Sequence, residues 1–170
     1  HLHRKLPVKN GHVLPSLDED IAKVAVVERH RRTGNVSVGF VEGFGLKEGA
    51  VASSVAHDSH NIVVIGGSDS DMAIAVNVLA KVGGGLTAVH SGETIALVEL
   101  PIAGLMSDES AEIVCGKVEK LQKSWEKLGC NIKSPFMSLS LLTLPVLPEL
   151  RITDKGLVDV KEFKFISPLV

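Results

Sequence analysis

The strongest constraint on the fold is the pattern of residues 50–67, AVASSVAHDSHNIVVIGG. Two short aliphatic runs, 50–56 and 62–65, flank the wholly polar segment His57-Asp58-Ser59-His60-Asn61. Both runs read as strands. The second is apolar at every position, which predicts a strand covered on both faces. Upstream, IAKVAVVER (21–29) and VSVGFV (36–41) read as two further strands joined by the turn RHRRTGN. In the second of these, Val36, Val38 and Phe40 alternate with Ser37 and Gly39, as in a strand with one buried face.

Two helices are well punctuated. Ser68 with Asp71 three residues on predicts a capping box, after which Met72, Ala75, Val76, Leu79 and Val82 form an apolar face and Gly83-Gly84-Gly85 a stop. Residues 86–90 and 94–100 form a hairpin through Ser91-Gly92. Further on, Ala111, Val114, Val118, Leu121, Trp125 and Leu128 recur at alternating steps of three and four, which predicts one buried seam ended by Gly129. Ser107 or Asp108 supplies its N-cap. Four prolines in the last forty residues exclude long regular elements there, and SLSLLTL is apolar enough to be buried. The expected fold class is α+β: a mostly antiparallel sheet, or two, covered by two main helices. Residues 1–20 are set apart as a linker or appended segment, and 21–170 as the domain.

With 170 residues, 45% hydrophobic and 22% charged, the chain suits one soluble globular domain. A net charge of -2 opposes a broad nucleic-acid footprint. The one basic run, Arg29-His30-Arg31-Arg32, reads as an exposed turn. Cys115 and Cys130 form no C-x-x-C site and suit a reducing compartment. No stretch approaches the ~20 apolar residues of a membrane span, and no apolar signal region opens the chain. A cytoplasmic protein is expected. The start at His1-Leu2-His3, without an initiator Met, fits a piece of a longer polypeptide.

The 57–61 segment bears two readings. Rigid apolar flanks can hold two imidazoles, a carboxylate, a hydroxyl and an amide for a ligand. Equally, Asp58, Ser59 and Asn61 can make the local backbone bonds of a polar turn. His57 and His60 alone give two metal ligands, one or two short of a site. The second polar insertion, PIAGLMSD (101–108), offers either a helix cap or N–H groups for a ligand. Phosphate-loop, nucleophile-elbow, H-E-x-x-H and zinc-deaminase motifs are all missing from the sequence.

The segments GLKEGAVASSVAHDSHNIVVIGGSDSDMAIAVN, GGGLTAV, LPIAGLMSD and PFMSLSLLTLPVLPELRITDKGLVDV together resemble the C-terminal domain of bacterial and archaeal adenine deaminases, in the amidohydrolase superfamily. The resemblance runs from about residue 43 to about 165, and more loosely from Ile21; the first twenty residues lie outside it. It implies hydrolytic deamination of adenine to hypoxanthine and ammonia. A metal-dependent barrel, N-terminal in the same polypeptide, would hold manganese or iron and generate the hydroxide that attacks C6. A carboxylate would manage the proton transfers to the leaving ammonia. On this resemblance His57, Asp58 and His60 are assigned catalytic roles, and Ser59, Asn61, Met106 and Ser107 contacts to adenine. No metal is assigned to this chain, which alone is expected to be inactive. A homo-oligomer is expected. The rival readings are a structural or oligomerisation domain, and a free-standing nucleobase- or metal-binding domain.

Overall fold

The computed structural model describes residues 2–169. In chain order, the hairpin β1 (Val8–Lys9) and β2 (His12–Val13) precedes a short 3-10 turn and the sheet strands β3 (Ile21–Val27), β4 (Val36–Glu42), β5 (Ala50–Ser53) and β6 (Ile62–Gly66). Helix α1 (Asp69–Val82) leads to the hairpin β7 (Gly85–His90) and β8 (Glu93–Glu99). Helices α2 (Ala111–Lys127) and α3 (Pro135–Leu141) and strands β9 (Leu150–Thr153), β10 (Gly156–Asp159) and β11 (Lys164–Ile166) complete the chain. The main sheet has six strands in the order β4-β3-β6-β5-β7-β8, every pair antiparallel. A separate three-stranded sheet, β11-β10-β9, packs against β4. The architecture is the expected α+β.

Alternation along the strands divides the core in two. Ala25, Ala50, Ala52, Ile62 and Val64 face α1, whose Met72, Ala75 and Leu79 close over them. Val24, Val26, Val51, Val63 and Ile65 face the other way, where Leu121, Trp125 and Leu128 of the α2 region, Leu139 of α3 and Ile152 of β9 cover them. The central β6 is therefore buried at every residue, as its uniform apolarity requires.

Four expectations are corrected. On β4 the buried residue is Gly39, while Val36 and Val38 are 55% and 45% exposed. The register pairs Gly39 with Val24 and Val38 with Ala25, so the valines share the face of α1, and β4 makes no close approach to that helix. The predicted seam is buried at Leu121, Trp125 and, just past the end of α2, Leu128, and half-buried at Val114; Ala111 and Val118 are exposed, α2 lying mainly over the edge strand β8. The helix starts after Ser110 instead of at Ser107, whose Oγ accepts the Glu109 N–H at 3.2 Å. Finally, only half of the capping box forms. Ser68 Oγ accepts the Asp71 N–H at 3.5 Å, but the Asp71 carboxylate accepts the N–H groups of Ser91 (3.2 Å) and Gly92 (2.8 Å), fixing the β7–β8 turn to α1. Among the described residues no helix is long and apolar enough to cross a membrane.

Candidate functional site

β5 and β6 are neighbours at the centre of the sheet, and residues 54–61 connect them at one sheet end. The connection closes on itself: the His60 N–H donates to Ala56 O at 2.7 Å, and the Ala56 N–H donates to His60 Nδ1 at 3.3 Å. Its backbone is then anchored from outside. Thr143 Oγ1 donates to His57 O at 2.7 Å, His30 Nε2 to Ser59 O at 2.6 Å, and Arg29 Nε to His60 O at 2.6 Å. The buried Asn61 accepts the Arg29 N–H on Oδ1 at 3.3 Å and donates from Nδ2 to Asp154 Oδ1 at 3.1 Å.

The side chains are free where the backbone is fixed. Among the described residues, the side chains of His57, Asp58 and Ser59 make no hydrogen bond; the His57 ring meets the His60 ring edge-on, centroids 5.5 Å apart. Asp58 and Ser59 are exposed, His57 and His60 half-buried. Asn61 differs: its amide is engaged inside the domain.

The second polar insertion lies against the same arginine. Residues 102–106 form a tight loop in which Ile102 and Met106 exchange backbone hydrogen bonds, both at 3.1 Å. Arg29 Nη2 donates to Ala103 O at 2.6 Å, and the buried Ser54 Oγ donates to Gly104 O at 2.7 Å while accepting the Gly85 N–H at 2.7 Å. A Cβ on Gly84 would collide with Gly104 Cα, so glycine lets this loop sit down on the sheet end. Met106, 58% exposed, points away from the core. Arg29, His30, Ser54, Thr143 and Asp154 thus build the site without having stood out in the sequence. Arg29 and His30 stood in the run read as an exposed turn, and only Arg31 and Arg32 behave that way in full.

Electrostatics favour a neutral His60. Burial first, then the neighbouring His57 and Arg29, hold its pKa below the ordinary 6.5. Because Nδ1 accepts a backbone N–H, the neutral ring carries its proton on Nε2, which has no hydrogen-bond partner among the described residues. Glu28 organises the turn beside it: N–H groups of Thr33, Arg31 and His30 and the Thr33 hydroxyl hold its carboxyl down to about 2. Among the described residues no three His, Cys, Asp or Glu side chains lie close enough together to hold a metal ion. Recesses of about 880 and 560 Å³ meet at the His90–Glu48 pair, and neither touches the 57–61 loop.

Comparison with known proteins assigns the scaffold. The profile of the family described as adenine deaminase C-terminal domain matches residues 1–164, taking in the first twenty residues. This chain belongs to that family. Relatives named adenine deaminase include those of Moorella thermoacetica, 54% identical over 98% of this chain, and Desulfatibacillum aliphaticivorans, 56% identical over 94%. An adenine deaminase of Clostridium botulinum is 50% identical over 99% of it. The chain spans about 28% of the length of each of these curated relatives. The adenine deaminase C-terminal domain is thus one part of a polypeptide about three and a half times as long in these relatives.

Proposed function

We propose that the domain supplies the 57–61 loop to the active site of an adenine deaminase, whose metal-dependent barrel lies N-terminal in the same polypeptide. The reaction is hydrolysis of adenine to hypoxanthine and ammonia. One observation carries the reading: a loop anchored through the carbonyls of His57, Ser59 and His60 and the side-chain amide of Asn61 presents, among the described residues, the side chains of His57, Asp58 and Ser59 and the Nε2–H of His60 without hydrogen-bond partners. Polar groups held rigid and unsatisfied are what a polar heterocycle requires.

Adenine presents ring-nitrogen acceptors and an exocyclic amino donor. The neutral His60 donates through Nε2, whereas the Asp58 carboxylate accepts a hydrogen bond from the amino group. His57 and Ser59 donate or accept at the ring edge, and Met106 lies against the purine face. Ser107 faces the same ligand through its hydroxyl, and Asn61 acts chiefly by orienting the loop. The loop lines neither of the two recesses, so a second surface must enclose the ligand. A manganese or iron ion has no matching donor set among the described residues.

In the full-length polypeptide, His57→Ala and His60→Ala should each lower kcat/KM for adenine at least ~100-fold with assembly unchanged, and His57→Ala, whose side chain makes no hydrogen bond among the described residues, should leave unfolding unchanged as well. Parental turnover in both variants would leave the domain a structural or oligomerisation unit.

A further inference from the structure

We infer that Arg29 is a positioning residue for this site, its guanidinium fixing the 57–61 and 101–106 loops in one relative geometry. The inference rests on the function just proposed and adds to it the residue that makes two loops act as one. Arg29 leaves the end of β3, where Val27 pairs with Ile62 at the start of β6, so its backbone N–H already meets Asn61. Its side chain then reaches two carbonyls far away in the chain. Nε donates to His60 O and Nη2 to Ala103 O, each at 2.6 Å and over sequence separations of 31 and 74 residues.

Both donors belong to one rigid plane, so the guanidinium sets the distance and angle between the two carbonyls. A lysine ammonium, with freely rotating donors on one atom, imposes no such relation. The second loop is shaped to receive the plane. Gly104 sits at φ +74°, and a Cβ there would lie 2.5 Å from a guanidinium nitrogen. Arg29 fills the volume that any larger residue would take. Among the described residues no strand pairing joins the two loops; the guanidinium plane bridges His60 O and Ala103 O, and Ser54 adds its bond to Gly104 O. Because the anchor is His60's own carbonyl, any shift of Arg29 moves the ring. Displacement of a reacting group by 1 Å costs on the order of 100-fold in rate.

The test uses the full-length polypeptide with Arg29→Lys, His60→Ala and the double variant, assayed for adenine turnover alongside thermal unfolding. Arg29→Lys keeps the charge and the aliphatic stem. We expect it to lose about 10- to 100-fold in kcat with KM within ~3-fold and an unchanged melting temperature, and to add less than ~3-fold in the His60→Ala background. Should Arg29→Lys not fold, Gly104→Ala displaces the guanidinium from the opposite side and is read by the same criteria. Parental kcat in Arg29→Lys beside an impaired His60→Ala overturns the role of Arg29 and leaves the proposed function standing. Losses that multiply in the double variant overturn positioning through His60. Parental kcat in His60→Ala overturns this inference, and parental turnover in His57→Ala beside it overturns the proposed function as well.

Discussion

His60 concentrates the chemistry of the loop in one ring. At φ +53° its backbone turns the chain back on itself, its Nδ1 is satisfied by the Ala56 N–H, and its Nε2–H has no hydrogen-bond partner among the described residues. With the folded pKa below 6.5, the fold favours the neutral ring. The stability this contributes is complete above about 6.5 and declines as pH falls through that value toward the lower folded one. Acidification from about pH 7.5 to 5.5 should therefore lower the melting temperature of the chain more than that of His60→Gln; equal declines would contradict the neutral assignment. The sequence marked the loop itself, since five polar residues between aliphatic runs have no place in a strand. It could not mark Arg29, Thr143 or Asp154. Their contacts with residues 57–61 depend on pairings across 31 to 93 positions, and nothing in the local pattern encodes them.

At the scale of elements, local patterning located each segment, while burial depth was settled by neighbours. β6 shows the legible case: uniform apolarity meant two covered faces, and α1 lies on one, α2 with α3 on the other. β4 shows the converse. Its valines alternate as a buried face would, yet it is an edge strand beyond the reach of α1, and the small β9–β11 sheet covers its glycine face instead. The seam of α2 was correctly periodic, but it is fully buried only toward its C-terminal end, while Val114 is half-buried and Ala111 and Val118 are exposed. Leu121→Ala, at a fully buried position, should cost about 2–5 kcal/mol in urea unfolding of the chain. Ile113→Ala, on the half of α2 that faces solvent, should stay within ~0.5 kcal/mol. Comparable losses at both positions would mean that the first half of the helix packs against something in this chain.

Across the whole molecule, one helix, a six-stranded sheet, and a layer of two helices with a small sheet form a rigid frame whose end carries the anchored loop. The domain covers 28% of its relatives' length, so the enclosure for a ligand is sought in the rest of the polypeptide. The most direct measurement is protection of a thiol placed at Ser59, an exposed side chain without a partner. In the full-length polypeptide carrying Ser59→Cys and Cys115→Ser, the latter removing the exposed native thiol of this domain, labelling is followed with and without adenine. Adenine at ten times its Kd should slow labelling about tenfold, and the labelled protein should release no ammonia from adenine. Labelling at one rate in both conditions, with full ammonia release afterwards, would place the loop away from the substrate and contradict the proposed function.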